Sequence, residues 1–172
     1  KLARGVMPHN WGVRYAPLEN EIEISRTSAP EIKLDITLKL VEYRNYTNTN
    51  SSMNVAVCLF SEGYITDYQK IDYQHRSYQT EIQFFSYFGD RIQKDQEWYF
   101  VWRNDSVAQF KLGDNLHEGK IRRYEMNVTP YILKMINHYG LTKVKLKHIE
   151  VFTEAYKGYS EFEVYDSKNN AS

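Results

Sequence analysis

The stretch "EWYFVWR" (97–103) sets Trp98, Phe100 and Trp102 on alternate residues, with Tyr99, Val101 and Arg103 between them. In a strand each set shares one side. Flat aromatic rings pack on the C–H faces of sugars, and Asp, Glu, Asn, Gln and Arg meet sugar hydroxyls with planar, multidentate groups. Three large aromatics on one side favour a core role for Trp98 and Trp102, which leaves Tyr99 and Arg103 as wet contacts. The opposite facing turns Trp98 and Trp102 into a stacking platform.

A second mixture lies in "GYITDYQKIDYQHRSYQ" (63–79). Tyr64, Tyr68, Tyr73 and Tyr78 interleave there with Asp67, Gln69, Asp72, Gln74, His75 and Arg76. Tyr offers rigid amphipathic area at little entropic cost, as recognition loops do. The plainer reading is a solvated edge ribbon. Together the two stretches nominate Trp98, Tyr99, Trp102, Arg103, Tyr64, Tyr68, Asp72 and Tyr73 as ligand contacts. A third stretch, "EAYKGYSE" (154–161), reads as a hairpin turn carrying Tyr156 and Tyr159.

Catalytic patterns are thinner. His9, His75, His117, His138 and His148 show no metal-ligand spacing. Glu150, Glu154, Glu161 and Glu163 could supply a carboxylate pair, but acids on alternate strand residues ordinarily face solvent. No nucleophile elbow or phosphate-cradling loop occurs. The residue types of Tyr73-Gln74-His75-Arg76 suit a polysaccharide lyase, without a supporting strand motif. No catalytic residue is assigned.

The elements that must position these groups are mostly strands. "EIKLDITLKLVEY" (31–43) alternates Ile32, Leu34, Ile36, Leu38 and Leu40 with polar residues, which predicts a long strand with one dry face. "EIEIS" (21–25) is a shorter one, and "VAVCLF" (55–60) is apolar throughout, as in a central strand. Strands are also expected at 80–88, 97–103, 106–112, 120–128, 141–155 and 159–166. Alternation breaks at Lys147-His148, which predicts a β-bulge. One helix is expected at 130–139, with Thr129 as N-cap, Pro130 at N1 and Gly140 at C′. The segment 61–79 is expected at an edge or in a loop, while Leu34, Ile36, Leu38, Val57 and Leu59 are expected in the core.

The 172 residues suit one domain with a real core. That domain spans 1–172, with 1–19 as an N-terminal extension and 167–172 as a polar tail. Lys plus Arg and Asp plus Glu both total 22, which argues against nucleic acid as partner. The lone Cys58 excludes an internal disulfide, and no run approaches the roughly 18 apolar residues of a membrane span. Asn-X-Ser/Thr sequons at Asn45, Asn50, Asn104, Asn127 and Asn170 carry little weight in an Asn-rich chain. Many short strands, one helix and no alternation of strand with helix predict an all-β fold, an antiparallel, jelly-roll-like β-sandwich.

The stretch "FKLGDNLHEGKIRRYEMNVTPYILKMINHYGLTKVKLKHIEVFTEAYKGYSEFEVYD" (110–166) resembles jelly-roll carbohydrate-binding modules and the galactose-binding-like fold. That resemblance implies non-catalytic binding of a polysaccharide or oligosaccharide by a secreted or surface protein, with the module appended to a larger chain. It also implies a structural calcium near the first and last strands, where Asp166 and an acid of "ENEIE" (19–23) are the candidates. Two other classes remain open. One is a structural or adhesive jelly-roll that makes protein contacts, and the other is a polysaccharide lyase or glycosidase.

Overall fold

The computed structural model describes residues 2–4, 9–45, 52–65, 70–71, 78–88, 91–92, 98–101 and 106–165, with side chains over 18–44, 52–65, 78–87 and 106–165. The strands are β1 (Leu2–Arg4), β2 (His9–Ser25), β3 (Lys33–Asn45), β4 (Ser52–Tyr64), β5 (Lys70–Ile71) and β6 (Tyr78–Phe88). There follow β7 (Arg91–Ile92), β8 (Trp98–Val101), β9 (Val107–Lys111), β10 (Ile121–Asn127), helix α1 (Thr129–His138), β11 (Lys143–Tyr156) and β12 (Gly158–Tyr165). One sheet has the order β1-β12-β3-β10 and the other β2-β11-β4-β6-β9-β8, with β5 on β4 and β7 on β6. Among the described ladders β6 and β9 run parallel and the rest antiparallel. The protein is an all-β sandwich with one helix.

The apolar alternation of β3 puts Leu38 and Leu40 fully inside and Ile36 nearly so, while Leu34 is only half-buried near the strand's start. Across the layer they meet Val55, Val57 and Leu59 of β4 and Ile82 of β6, all buried. Each such side chain contributes roughly 1.5–3 kcal/mol by leaving water. The apolar run of β4 is buried on both faces, since Ala56 and Cys58 are covered as well. A bulge in the β4–β6 ladder pairs Val55 with Phe85 and Ala56 with Gln83. The extra residue, Phe84, lets two consecutive Phe rings enter the core.

The bulge predicted in β11 is present. Leu146 pairs with Ser61 and His148 with Phe60, so Lys147 is the extra residue. Before it Val144 and Leu146 face the core. After it Ile149 and Val151 do, and His148, Glu150, Phe152 and Glu154 take the outer face.

Helix α1 closes one end of the sandwich. Ile132, Met135 and Ile136 are fully buried, and Tyr131 and Tyr139 pack edge-on against Phe110 and Tyr78. The helix ends as expected. Gly140 has φ +66°, Leu141 N–H donates to Ile136 O and Gly140 N–H to Asn137 O, the Schellman arrangement. Its start differs from expectation, because Val128 is the N-cap and Thr129 is already helical. The Thr129 hydroxyl is engaged elsewhere. It donates to Pro30 O at 2.6 Å and accepts from Ile32 N–H at 3.0 Å, which ties the helix to the start of β3. Asn127 Oδ1 accepts the Thr129 N–H instead.

Two further expectations change. The expected extension 1–19 takes part in both sheets, because β2 begins at His9 and pairs with β11 over 9–17 and 22–25, and β1 pairs with β12. Its mixed polarity hides a strand that belongs to an edge. Within 61–79, Ser61 to Tyr64 continue the interior strand β4, β5 pairs with its end, and Tyr78 opens β6 as a buried residue. Residues 66–69 and 72–77 lie outside the described residues.

Candidate functional site on the outer face of the large sheet

The eight-stranded sheet has one face on the core and one turned away from it. Alternation puts Gln79, Glu81 and Gln83 of β6 on the outer face, because Thr80 and Ile82 between them point inward. The β6–β9 register adds Gln109 and Lys111, and the β4–β6 ladder adds Cys58 and Phe60. The β11 bulge delivers His148, Glu150 and Glu154. The result is a row of planar polar groups across neighbouring strands.

Glu81 is its centre and is only 5% exposed. Gln83 Nε2 donates to Glu81 Oε1 at 2.7 Å, and Gln109 Nε2 donates to both carboxyl oxygens at 3.1 and 3.2 Å. Burial raises the Glu81 pKa to about 7 against the pull of those two amide donors, and the charge of Glu154 pushes the same way as burial. Among the described residues Gln83 Oε1, on a side chain 3% exposed, has no hydrogen-bond partner, and neither has Asn54 Oδ1 further along the face.

The flanks are built from the same parity. Asn54 Nδ2 donates to Glu154 Oε2 at 3.4 Å, and Cys58 Sγ to Gln79 Oε1 at 3.5 Å. Burial, then the charges of Glu81 and Glu150, hold the Cys58 thiol well above its ordinary pKa, so it is no nucleophile. The rings of Phe60 and His148 stack at 4.4 Å, and His148 Nε2 lies 3.4 Å from Glu150 Oε1. Lys111, 2% exposed, donates to Leu112 O.

Aromatic residues register at both edges. On β8, position 98 pairs with Lys111 and position 100 with Gln109, so Trp98 and Phe100 hold positions on the Glu81 face. Tyr99 and Val101 pair with the core residues Phe110 and Ala108. On β2, Trp11 pairs with Glu154 and Tyr15 with Glu150. These four are placed by backbone register alone.

Of the other contacts nominated from sequence, Tyr64 is on the same face but six residues beyond Cys58, roughly 20 Å at about 3.3 Å per residue. Its hydroxyl donates to Glu62, and Lys143 and Lys145 lie 5.3 and 5.4 Å from its ring. That local cage, not the Glu81 row, is its setting. Trp102, Arg103, Tyr68, Asp72, Tyr73 and Asp166 lie outside the described residues. The hairpin read at 154–161 is present, with Lys157 at φ +53° in the turn and its ammonium over Tyr156. Among the described residues no group of three or more His, Cys, Asp or Glu is placed to hold a metal ion. No helix of the described residues is long and apolar enough to cross a membrane.

Glu81, Gln83 and Gln109 escape the sequence reading. The signal was a polar set alternating inside apolar strands, "TEIQFF" beside "AQFK". Periodicity reveals the alternation, and only the parallel β6–β9 register shows that the two polar sets meet.

No protein-family model matches the chain, and no curated protein matches its sequence. Among solved structures, one described as "Comparison of Family 12 Glycoside Hydrolases and Recruited Substitutions Important for Thermal Stability" is similar, with 12% identity and a TM-score of 0.40. The match covers 90% of this chain and 73% of that one.

Proposed function

We propose that the chain is a carbohydrate-binding β-sandwich whose ligand lies across the outer face of the eight-stranded sheet. The observation that carries this reading is the Gln83–Glu81–Gln109 row, set between two sheet edges that register aromatic residues. Amide and carboxyl groups in one plane match vicinal sugar hydroxyls, and aromatic positions at either side supply stacking area. Among the described residues near Glu81, Glu150 and Glu154 of β11 share the face with Lys111 of β9. A neutral glycan needs no counter-charge from such a mixed face and is the favoured ligand. A module of this kind belongs with a secreted or surface protein.

The test is affinity for neutral gluco-, manno- and xylo-hexasaccharides, measured alongside the mass in solution. A monomer that binds one series supports the reading. A symmetric oligomer indifferent to all of them supports a structural jelly-roll instead.

Glycoside hydrolysis is favoured by one feature of the same face. Glu81 holds a proton near neutrality while Glu150 and Glu154 share its side of the sheet, and two-carboxyl hydrolysis needs a proton donor beside a carboxylate. New reducing ends released from a bound hexasaccharide would establish it, and intact ligand after prolonged incubation would refute it.

A further inference from the structure

The Glu81 carboxyl is packed so closely that a ligand over it would remove the little solvent it has left. Among the described residues its hydrogen-bond donors are two amides, Gln83 on its own strand and Gln109 on β9, while Lys111 on the same face donates to Leu112 O. A charge stripped of water without an opposite charge is costly, whereas a neutral acid is not. The neutral acid is also a donor, where the carboxylate is only an acceptor. A buried acceptor that no donor among the described residues reaches stands next to it, since Gln83 Oε1 belongs to the same amide that already bonds Glu81. Acid and amide planes can then exchange two hydrogen bonds where the charged form makes one.

Resting on the carbohydrate reading of this face, we propose that the glycan binds with Glu81 protonated, so that binding takes up a proton and weakens as the solution turns alkaline.

Other ionisable groups face this centre. Among the described residues they are Cys58 on β4, Lys111 on β9, and His148, Glu150 and Glu154 on β11. On Glu81's own strand the flanking amides of this face are Gln79 and Gln83, of which Gln83 bonds it, and positions 98 and 100 of β8 hold Trp and Phe. Cys58 is held protonated by burial. His148 shares the face and sits with Glu150 beyond Cys58.

The experiment measures dissociation constants of the hexasaccharide panel at a series of pH values for the wild type, Glu81→Gln and His148→Gln. With a ligand-free midpoint of about 7, affinity should fall about 30-fold between about pH 6 and about pH 8.5, approaching tenfold per unit. Glu81→Gln keeps a neutral planar donor, so it should bind within about threefold of the wild type at the acid end and show a flat profile. His148→Gln should keep the slope. Circular dichroism of each variant establishes that it is folded before binding is read. A wild type that binds equally well at every pH overturns the proposal and leaves the carbohydrate reading standing. So does a folded Glu81→Gln that no longer binds in acid, or a slope that disappears with His148→Gln. Absence of binding to any hexasaccharide at any pH removes the carbohydrate reading and the proposal together.

Discussion

Replacing Glu81 with Gln should stabilise the free protein at alkaline pH and leave it unchanged in acid. The folded state raises this carboxyl from 4.5 to about 7. The folded chain therefore holds more protons than the unfolded one between those two values, and stability falls as pH rises through that window. The stabilising contribution of the neutral acid is complete below about 4.5 and is lost above about 7. Two and a half units correspond to roughly 3 kcal/mol, and the side chain is buried enough at 5% exposed for little of that to be screened. Gln has no such loss. It offers one acceptor oxygen where the carboxylate offers two to Gln83 and Gln109, so a gain of about 2 kcal/mol at alkaline pH is the working figure. Urea denaturation of both proteins at about pH 4.5 and about pH 8 reads the difference. For a chain of this length it corresponds to a Tm rise of about 4–8 °C at the higher pH. A difference that is the same at both pH values, or a Gln variant less stable than the wild type at pH 8, would refute the reasoning.

Ile136→Ala should cost about 2–4 kcal/mol in urea, because the side chain is fully buried beneath α1; a loss below about 0.5 kcal/mol would show the helix to be loosely attached. Thr129→Val should cost about 1–3 kcal/mol, since Pro30 O and Ile32 N–H both lose their partner, and equal stability would mean that water replaces the hydroxyl. On β9, Phe110→Ala should cost about 3–5 kcal/mol. Across the ladder, Trp98→Ala should weaken hexasaccharide binding roughly threefold to tenfold and shift Tm little. Unfolding by Trp98→Ala would place that residue in the core.

Most of the longer strands were legible because the elements announce themselves locally. Ile32 to Leu40 alternate, the run at Val55 to Leu59 is apolar on both faces, and the helix is framed by Pro130 and Gly140. The bulge at Lys147 was legible for the same reason, as a slip in alternation. The N-cap was misread because Thr129 has a distant use for its hydroxyl, and a residue's tertiary partners leave no trace in its neighbours. The strand from His9 was missed because an edge strand buries too little to need a clear pattern. The centre of the face was missed for a different reason. Glu81 and Gln109 are 28 residues apart and meet through a parallel pairing, which no local period encodes.

The bulge in β11 makes the outer face sensitive to chain length in a way that it is not to composition. Lys147 itself reaches the surface acids Glu21 and Glu62, so exchanging its side chain should disturb little beyond those two ion pairs. Deleting it is another matter. Every residue from His148 to Tyr156 would then change sides, with Glu150 and Glu154 driven into the sandwich and Ile149 and Val151 turned out. At position 147 the side chain can be exchanged at little cost, while the loss of that one residue would exchange the two faces of the strand from His148 onward.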